Sequence, residues 1–261
     1  MSFTWLRFLK ERGFTKHNNT KKTIFYKMTL FYIQGASTEL QFLPKEESKH
    51  AVKVLRLQQG DLLAITNGEG DIHTAKVVIA NPKKCEVHIF ETEHVEPKKF
   101  RIHIAVAPTK LNDRYEWMLE KMTEMGVDEI TPIICHRSER KVLKLERMER
   151  IIVSAVKQSW KAYKPVINAP IRYSEFIKKA KFDQQFIAHC NGGCGSDSHL
   201  KTMAKTDSNI GILIGPEGDF SESEVELATQ NGWVKTGLGS ARLRTETAAL
   251  VACFTLNLIN E

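Results

Sequence analysis

No apolar run in this 261-residue chain approaches the roughly 18 residues that a membrane span requires, so the sequence reads as that of a soluble protein. Cysteine is scarce and irregular. Five residues, an odd number at no regular interval, give no disulfide framework and point to reduced thiols in a reducing compartment such as the cytoplasm. The phosphate-cradling pattern GxxxxGKS/T is absent. Gly237-x-Gly239 is followed by Arg242 where a dinucleotide fingerprint needs a third small residue. Nucleoside triphosphate hydrolysis and hydride transfer are therefore poor fits. Internal repeats and low-complexity tracts are also missing.

What is present begins with charge. The net charge of +7 is concentrated at one end, because residues 1–27 hold seven Lys/Arg against Glu11 and carry +6. The rest of the chain is nearly neutral, so total charge says little about its partners. A local excess says more: from Arg137 to Lys181 there are 13 Lys/Arg and four Glu, a net +9 in 45 residues. Such a stretch suits a phosphate backbone, although helices also wear such charge on solvated faces. Residues 1–27 are basic, poor in acids and without sustained periodicity. Upstream translation ahead of a start at Met28 is the favoured expectation, over an RNA-grasping arm or a transit-like leader, because a strand pattern begins directly after Met28.

From Leu30 to about Val95 the chain reads as short strands (31–33, 62–65, 75–79, 85–90) separated by turn material such as Asn67-Gly68 and Asn81-Pro82, the pattern of a small barrel. A polar linker, 93–99, follows. The rhythm then changes to alternating strands (102–107, 130–134, 185–189, 210–214, 233–238) and helices (113–125, 144–161, 246–259), which predicts a mainly parallel sheet covered on both faces. Tyr115, Met118, Leu119, Met122 and Met125 share one helical face, read as core-facing, and Gly126 stops that helix. The last helix is apolar nearly all round and is expected to be buried, in the core or against a second subunit. The expected division is a basic extension over 1–27, a barrel domain over 28–96 and an α/β domain over 97–261.

Two strand–glycine–helix junctions stand out. In the first, Ile210–Ile214 runs into Gly215-Pro216-Glu217-Gly218, and Ser221 with Glu224 forms a capping box for the next helix. In the second, Leu238-Gly239-Ser240-Ala241-Arg242-Leu243-Arg244-Thr245-Glu246 sets two arginines beside Thr245, a candidate N-cap, and Glu246 in the first turn. Ligands in open α/β sheets bind beyond the carboxyl ends of the strands, and glycine there allows a close approach of backbone to ligand. A bend that only turned the chain would not need such polarity. His189, Cys190, Cys194 and His199 could be mistaken for zinc ligands, but their spacing is loose and glycine-rich, and no metal is expected.

Together, Gly215-Pro-Glu-Gly218 and Leu238-Gly239-x-x-x-Leu243-Arg244-Thr245-Glu246-Thr247-Ala248 resemble the ribosomal RNA small subunit methyltransferase E family. Further matching stretches are Ala107-Pro-Thr-Lys110, Asp113-Arg114-x-Glu116-Trp117, Lys121-x-Thr-Glu124-x-Gly126, Gln158-Ser159, His50-x-x-x-Val54-Leu55-Arg56-Leu57 and Gly60-Asp61. The likeness runs from about Met28 to the C-terminus. It implies a PUA-like β-barrel, an α/β domain of the SPOUT class with a C-terminal trefoil knot, a homodimer, S-adenosylmethionine held in the knot, and methylation of uracil N3 at a uridine near the 3′ end of 16S ribosomal RNA. Two positions depart from the pattern: Asp219 stands where the family usually has a third glycine, and Leu30 replaces a usual basic residue.

On this reading the cofactor contacts fall on Ala188, His189, Leu213, Ile214, Gly215, Pro216, Glu217, Gly218, Leu238, Gly239, Leu243, Arg244 and Thr245. Arg244 is the expected electrostatic group beside the uracil oxygens, with Glu246 orienting it or helping to remove the N3 proton. Arg56, Lys110, Arg114, Arg137 and Arg140 are the candidate RNA contacts. The competing readings are a non-catalytic RNA-binding assembly factor and an enzyme of the same class with another RNA target.

Overall fold

The computed structural model describes residues 28–37, 39–189 and 198–261, and within these the chain forms two compact units. The first takes the chain up to Ile65 together with Ile72–Glu93; the second takes Thr66–Asp71 and His94–Glu261. Expectations for residues 1–27 and for Cys190 and Cys194 lie outside the described residues.

The first unit is a five-stranded sheet in the order β1(Leu30–Tyr32)–β3(Leu62–Thr66)–β4(Asp71–Ile79)–β5(Glu86–His94)–β2(Leu40–Phe42). Phe31, Leu63, Ile65, Ala75, Val77, Val87 and Ile89 fill its core at alternate positions. Sequence reading missed β2 and the helical stretch behind it, α1 (Lys45–Lys49) running into a π-helical turn over His50–Val54. The short strand has no alternation of its own. It is held by pairing with β5 and by buried Ser48, whose hydroxyl donates to the Leu43 carbonyl at 2.8 Å and accepts from the Cys85 N–H at 2.9 Å.

The second unit is built on a parallel sheet, β12(Val234–Thr236)–β10(Gln184–Ala188)–β11(Asn209–Ile214)–β6(Arg101–Val106)–β7(Glu129–Ile134)–β8(Val166–Ile167), with β9 (Ile171–Arg172) also pairing with β7. Branched residues alternate across it. Ile102, Ile104 and Val106 face a layer formed by α2 (Asn112–Met125), α3 (Leu145–Gln158) and α7 (Thr245–Leu258). Ala105, Ala107, Ile187 and Leu213 face α4 (Tyr173–Lys179), α6 (Glu222–Gln230) and Trp233. A further short helix, α5, spans Leu200–Met203. The methionine stripe of α2 is core: Met118, Leu119 and Met122 are fully buried, and Gly126 ends the helix at φ +93°, a left-handed conformation that glycine adopts without cost. No helix among the described residues is long and apolar enough to cross a membrane.

At the amino end of the sheet His103 is buried between Phe176 and Phe182, with its Nε2 2.7 Å from the Thr131 hydroxyl. Burial lowers its pKa to about 4, outweighing the upward pull of Glu129 at 3.6 Å. A neutral buried imidazole binds fewer protons than the unfolded chain. Its contribution to stability is thus complete above the ordinary histidine value of about 6.5 and is lost as pH falls toward 4. Thermal melts between pH 7 and 4 should show a falling midpoint, and His103→Gln should flatten that slope; an unchanged slope would place the titration elsewhere.

Candidate active site

Because the strands are parallel, their carboxyl ends open on one edge. Register fixes how they align: Ala188 of β10 pairs with Ile214 of β11 on one side and with Thr236 of β12 on the other. The three following segments, at His189, 215–219 and 237–244, therefore leave the sheet side by side. They enclose a cavity of about 960 Å³.

Its wall brings together Ala188, His189, Ile214, Gly215, Pro216, Glu217, Gly218, Leu238, Gly239, Arg242, Leu243, Arg244 and Thr245, all within the segments anticipated from sequence, with Arg137, Asp219, Thr236 and Gly237, which were not assigned to it. Leu213 is not in the wall; its side chain is fully buried in the opposite hydrophobic layer. The two bends are directly joined, since the Thr245 hydroxyl donates to the Gly215 carbonyl at 3.0 Å. Thr245 is thus not the N-cap. That position belongs to Arg244, extended at φ −74° and ψ 159°, and Thr245 is the first helical residue.

The glycines of the first bend serve packing behind it. A Cβ on Gly215 would lie 3.2 Å from the Phe220 ring, and one on Gly218 would lie 3.3 Å from the Arg137 Cβ. Gly239 is different: its φ of +128° lies where side chains rarely go, and nothing stands within 4 Å of a Cβ there. The expected capping box at α6 is present, and Glu224 does double duty. One oxygen accepts from the Ser221 N–H at 2.9 Å and the other from the His136 N–H at 2.7 Å, tying the loop after β7 to the start of α6.

The basic residues near this edge are largely engaged with loops. Arg137 donates to the Gly218 carbonyl at 2.8 Å. Arg140 donates to the carbonyls of Thr109 (3.2 Å) and Lys110 (2.7 Å). Lys110 gives its backbone N–H to Glu217 at 2.8 Å, while its ammonium pairs with Glu139 at 2.9 Å, a hydrogen bond that raises its pKa. These groups lock the loops after β6, β7 and β11 to one another. Arg56 is exposed in the first unit, at φ +57°.

A second pocket of about 560 Å³ adjoins the first, sharing Arg242, Leu243 and Arg244 as wall and adding Asp113, Arg114, Trp117, Glu246 and Thr247. Here Glu246 is 6% exposed, its Oε2 has no hydrogen-bond partner, and its Oε1 lies 3.9 Å from the Arg114 Nε. Trp117 was missed as a pocket residue; the available signal was an indole on the polar side of an otherwise well-patterned helix. His189 has its Nδ1 3.1 Å from the Asp219 carboxylate, and His199 caps α5 by accepting from the Lys201 N–H at 3.2 Å.

Comparison with known proteins agrees with this architecture. Residues 96–257 match the family described as RNA methyltransferase domain, and residues 43–90 match the RNA methyltransferase PUA domain. Ribosomal RNA small subunit methyltransferase E of Bacillus subtilis is 28% identical over 244 residues, covering 86% of this chain and 94% of that protein. Among solved structures, one termed a probable rRNA-methyltransferase from Porphyromonas gingivalis is 41% identical with a TM-score of 0.82, covering 89% of this chain and 98% of that one. A ribosomal RNA small subunit methyltransferase E from Neisseria gonorrhoeae, bound to S-adenosyl methionine, is 26% identical with a TM-score of 0.78 and the same coverage. The chain therefore belongs to the RNA methyltransferase family and is similar within it to ribosomal RNA small subunit methyltransferase E.

Proposed function

We propose that this protein is an S-adenosylmethionine-dependent methyltransferase that modifies uracil N3 of a uridine near the 3′ end of 16S ribosomal RNA, in the cytoplasm and as a homodimer. The observation that carries the reading is the pair of bends joined by the Thr245–Gly215 hydrogen bond around one cavity. At about 960 Å³ the cavity has room for a nucleoside with an amino-acid tail, and its wall mixes apolar side chains with the main-chain groups of strand ends. Ala188, Ile214–Gly218 and Leu238–Thr245 would hold that ligand. Bound there, S-adenosylmethionine supplies a methyl group on a positively charged sulfur.

The chain's own residues must then make a weak nucleophile reactive. Uracil N3 carries a proton in its neutral form, and the ring gains negative charge on its oxygens when that proton leaves. Glu246 is suited to accept the proton and Arg244 to stabilise the oxygens. Alignment of the nitrogen does the rest, which favours a site tied together by interlocked loops.

The knot reading draws support from chain path. After β12, at one margin of the sheet, the chain returns so that α7 packs under β6 and β11 beside α2. The homodimer reading draws support from α7 itself. Ala249, Ala252, Cys253 and Leu256 are buried, while Phe254 and Leu258 remain more than half exposed on an uncharged face. The first unit, with its PUA match and exposed Arg56, is suited to RNA contact.

Isothermal titration should show S-adenosylmethionine binding, and methylated uridine should appear in 16S ribosomal RNA from producing cells and vanish on deletion; no binding, or modification at another atom, would overturn the reading. Arg244→Ala should lose about 100- to 1000-fold in turnover even at saturating S-adenosylmethionine. Phe254→Asp should shift the sedimenting species from dimer to monomer, and an unchanged dimer would move the interface off α7.

A further inference from the structure

The second pocket adjoins the proposed donor cavity, and three of its features point to a ligand of its own. Glu246 is the first sign. A carboxylate oxygen buried without a partner is costly, and Arg114, at 3.9 Å from the other oxygen, is too far to hydrogen-bond it. The second sign is Trp117. Its neighbours on α2, Tyr115, Met118 and Leu119, are fully buried, whereas Trp117 is 47% exposed at the pocket wall. The third is position: Arg242, Leu243 and Arg244 form one wall of this pocket and one wall of the donor cavity, so the two are separated by a single stretch of chain.

We infer that this pocket receives the acceptor base, with Trp117 as the stacking platform for a uracil turned out of its strand and with Arg114, Glu246 and Arg244 reading its edge. The inference rests on the methyltransferase reading above and extends it to base recognition. Uracil presents an acceptor, a donor and an acceptor in sequence, at O4, N3–H and O2. The complementary set is donor, acceptor, donor, and the pocket lining holds those groups in the guanidinium groups of Arg114 and Arg244 and the carboxylate of Glu246. Cytosine offers a lone pair at N3 in place of the N–H and would set it against the Glu246 carboxylate, so the arrangement selects for uracil at the atom to be modified. A flat apolar indole suits any base face and contributes affinity without sequence choice, leaving discrimination to the polar edge.

The test uses the full-length protein and short single-stranded RNAs, identical except for one uridine or cytidine, followed by fluorescence anisotropy. Wild type should prefer the uridine RNA. Trp117→Ala should weaken binding of both RNAs by about 10- to 100-fold, with Trp117→Phe retaining most of the affinity. Glu246→Gln should erase or reverse the preference, because an amide can donate to cytosine N3. Donor affinity by calorimetry should be unchanged in Trp117→Ala, as should the sedimentation coefficient. Equal binding of the two RNAs by wild type, wild-type affinity in Trp117→Ala, or loss of the dimer in that variant would each overturn the inference. A wild-type protein that binds no S-adenosylmethionine would sink the underlying reading instead, and the calorimetric arm reports that failure separately.

Discussion

A single hydrogen bond, from the Thr245 hydroxyl to the Gly215 carbonyl at 3.0 Å, joins the two bends on which the site depends. Parallel register brings the strand ends to one edge but does not determine where the loops go next. The bond acts across 30 residues of sequence and fixes the start of α7 against the end of β11. Two consequences follow from it. The cavity has a defined floor where the bends meet, and Glu246, one residue into the helix, is carried to the wall of the neighbouring pocket. The larger cavity and the acidic group thus share one anchoring point.

Around that anchor the loops are held by charge-assisted bonds to backbone. Arg137 reaches Gly218, Arg140 reaches Thr109 and Lys110, Glu217 takes the Lys110 N–H, and Glu224 takes the His136 N–H. Such bonds are shorter and stronger than neutral ones and fix loops that lack regular structure of their own. For catalysis by alignment this stiffness matters more than any one contact, since misplacement of about 1 Å can cost two orders of magnitude in rate. Arg137 and Arg140, candidate RNA contacts by sequence, each donate to loop carbonyls, while Arg244 is exposed and makes no such bond among the described contacts.

Much of the α/β unit was legible because burial on both sides writes itself into sequence. Ile210–Ile214, Ile102–Val106 and the Met118–Leu119–Met122 stripe are local patterns with local causes, and their elements lie within a few residues of expectation. Elements defined by pairing alone were not legible. β8 and β9 have two residues each, and β2 has three, all too short for any period to show. The site divided in the same way. Glycine bends announce themselves, whereas the role of Thr245 depends on a carbonyl 30 residues away, and Trp117 becomes a pocket residue only when α7 is packed beside α2.

Asp219 shows how a departure from pattern can leave geometry intact. Where the family resemblance implies a glycine, this chain has an aspartate at φ +63°, the left-handed conformation that costs most side chains about 1–2 kcal/mol. Aspartate is among the few residues that offset that cost locally. Here Oδ1 accepts from the Phe220 N–H at 2.7 Å, and Oδ2 lies 3.1 Å from the His189 ring. The bend therefore keeps the turn a glycine would make and gains two ties, one along the chain and one across the cavity mouth to the end of β10. What the substitution changes is the chemistry of the wall. A carboxylate, partly exposed and 3.1 Å from a histidine ring, stands in a wall that also carries Arg137, Glu217, Arg242 and Arg244.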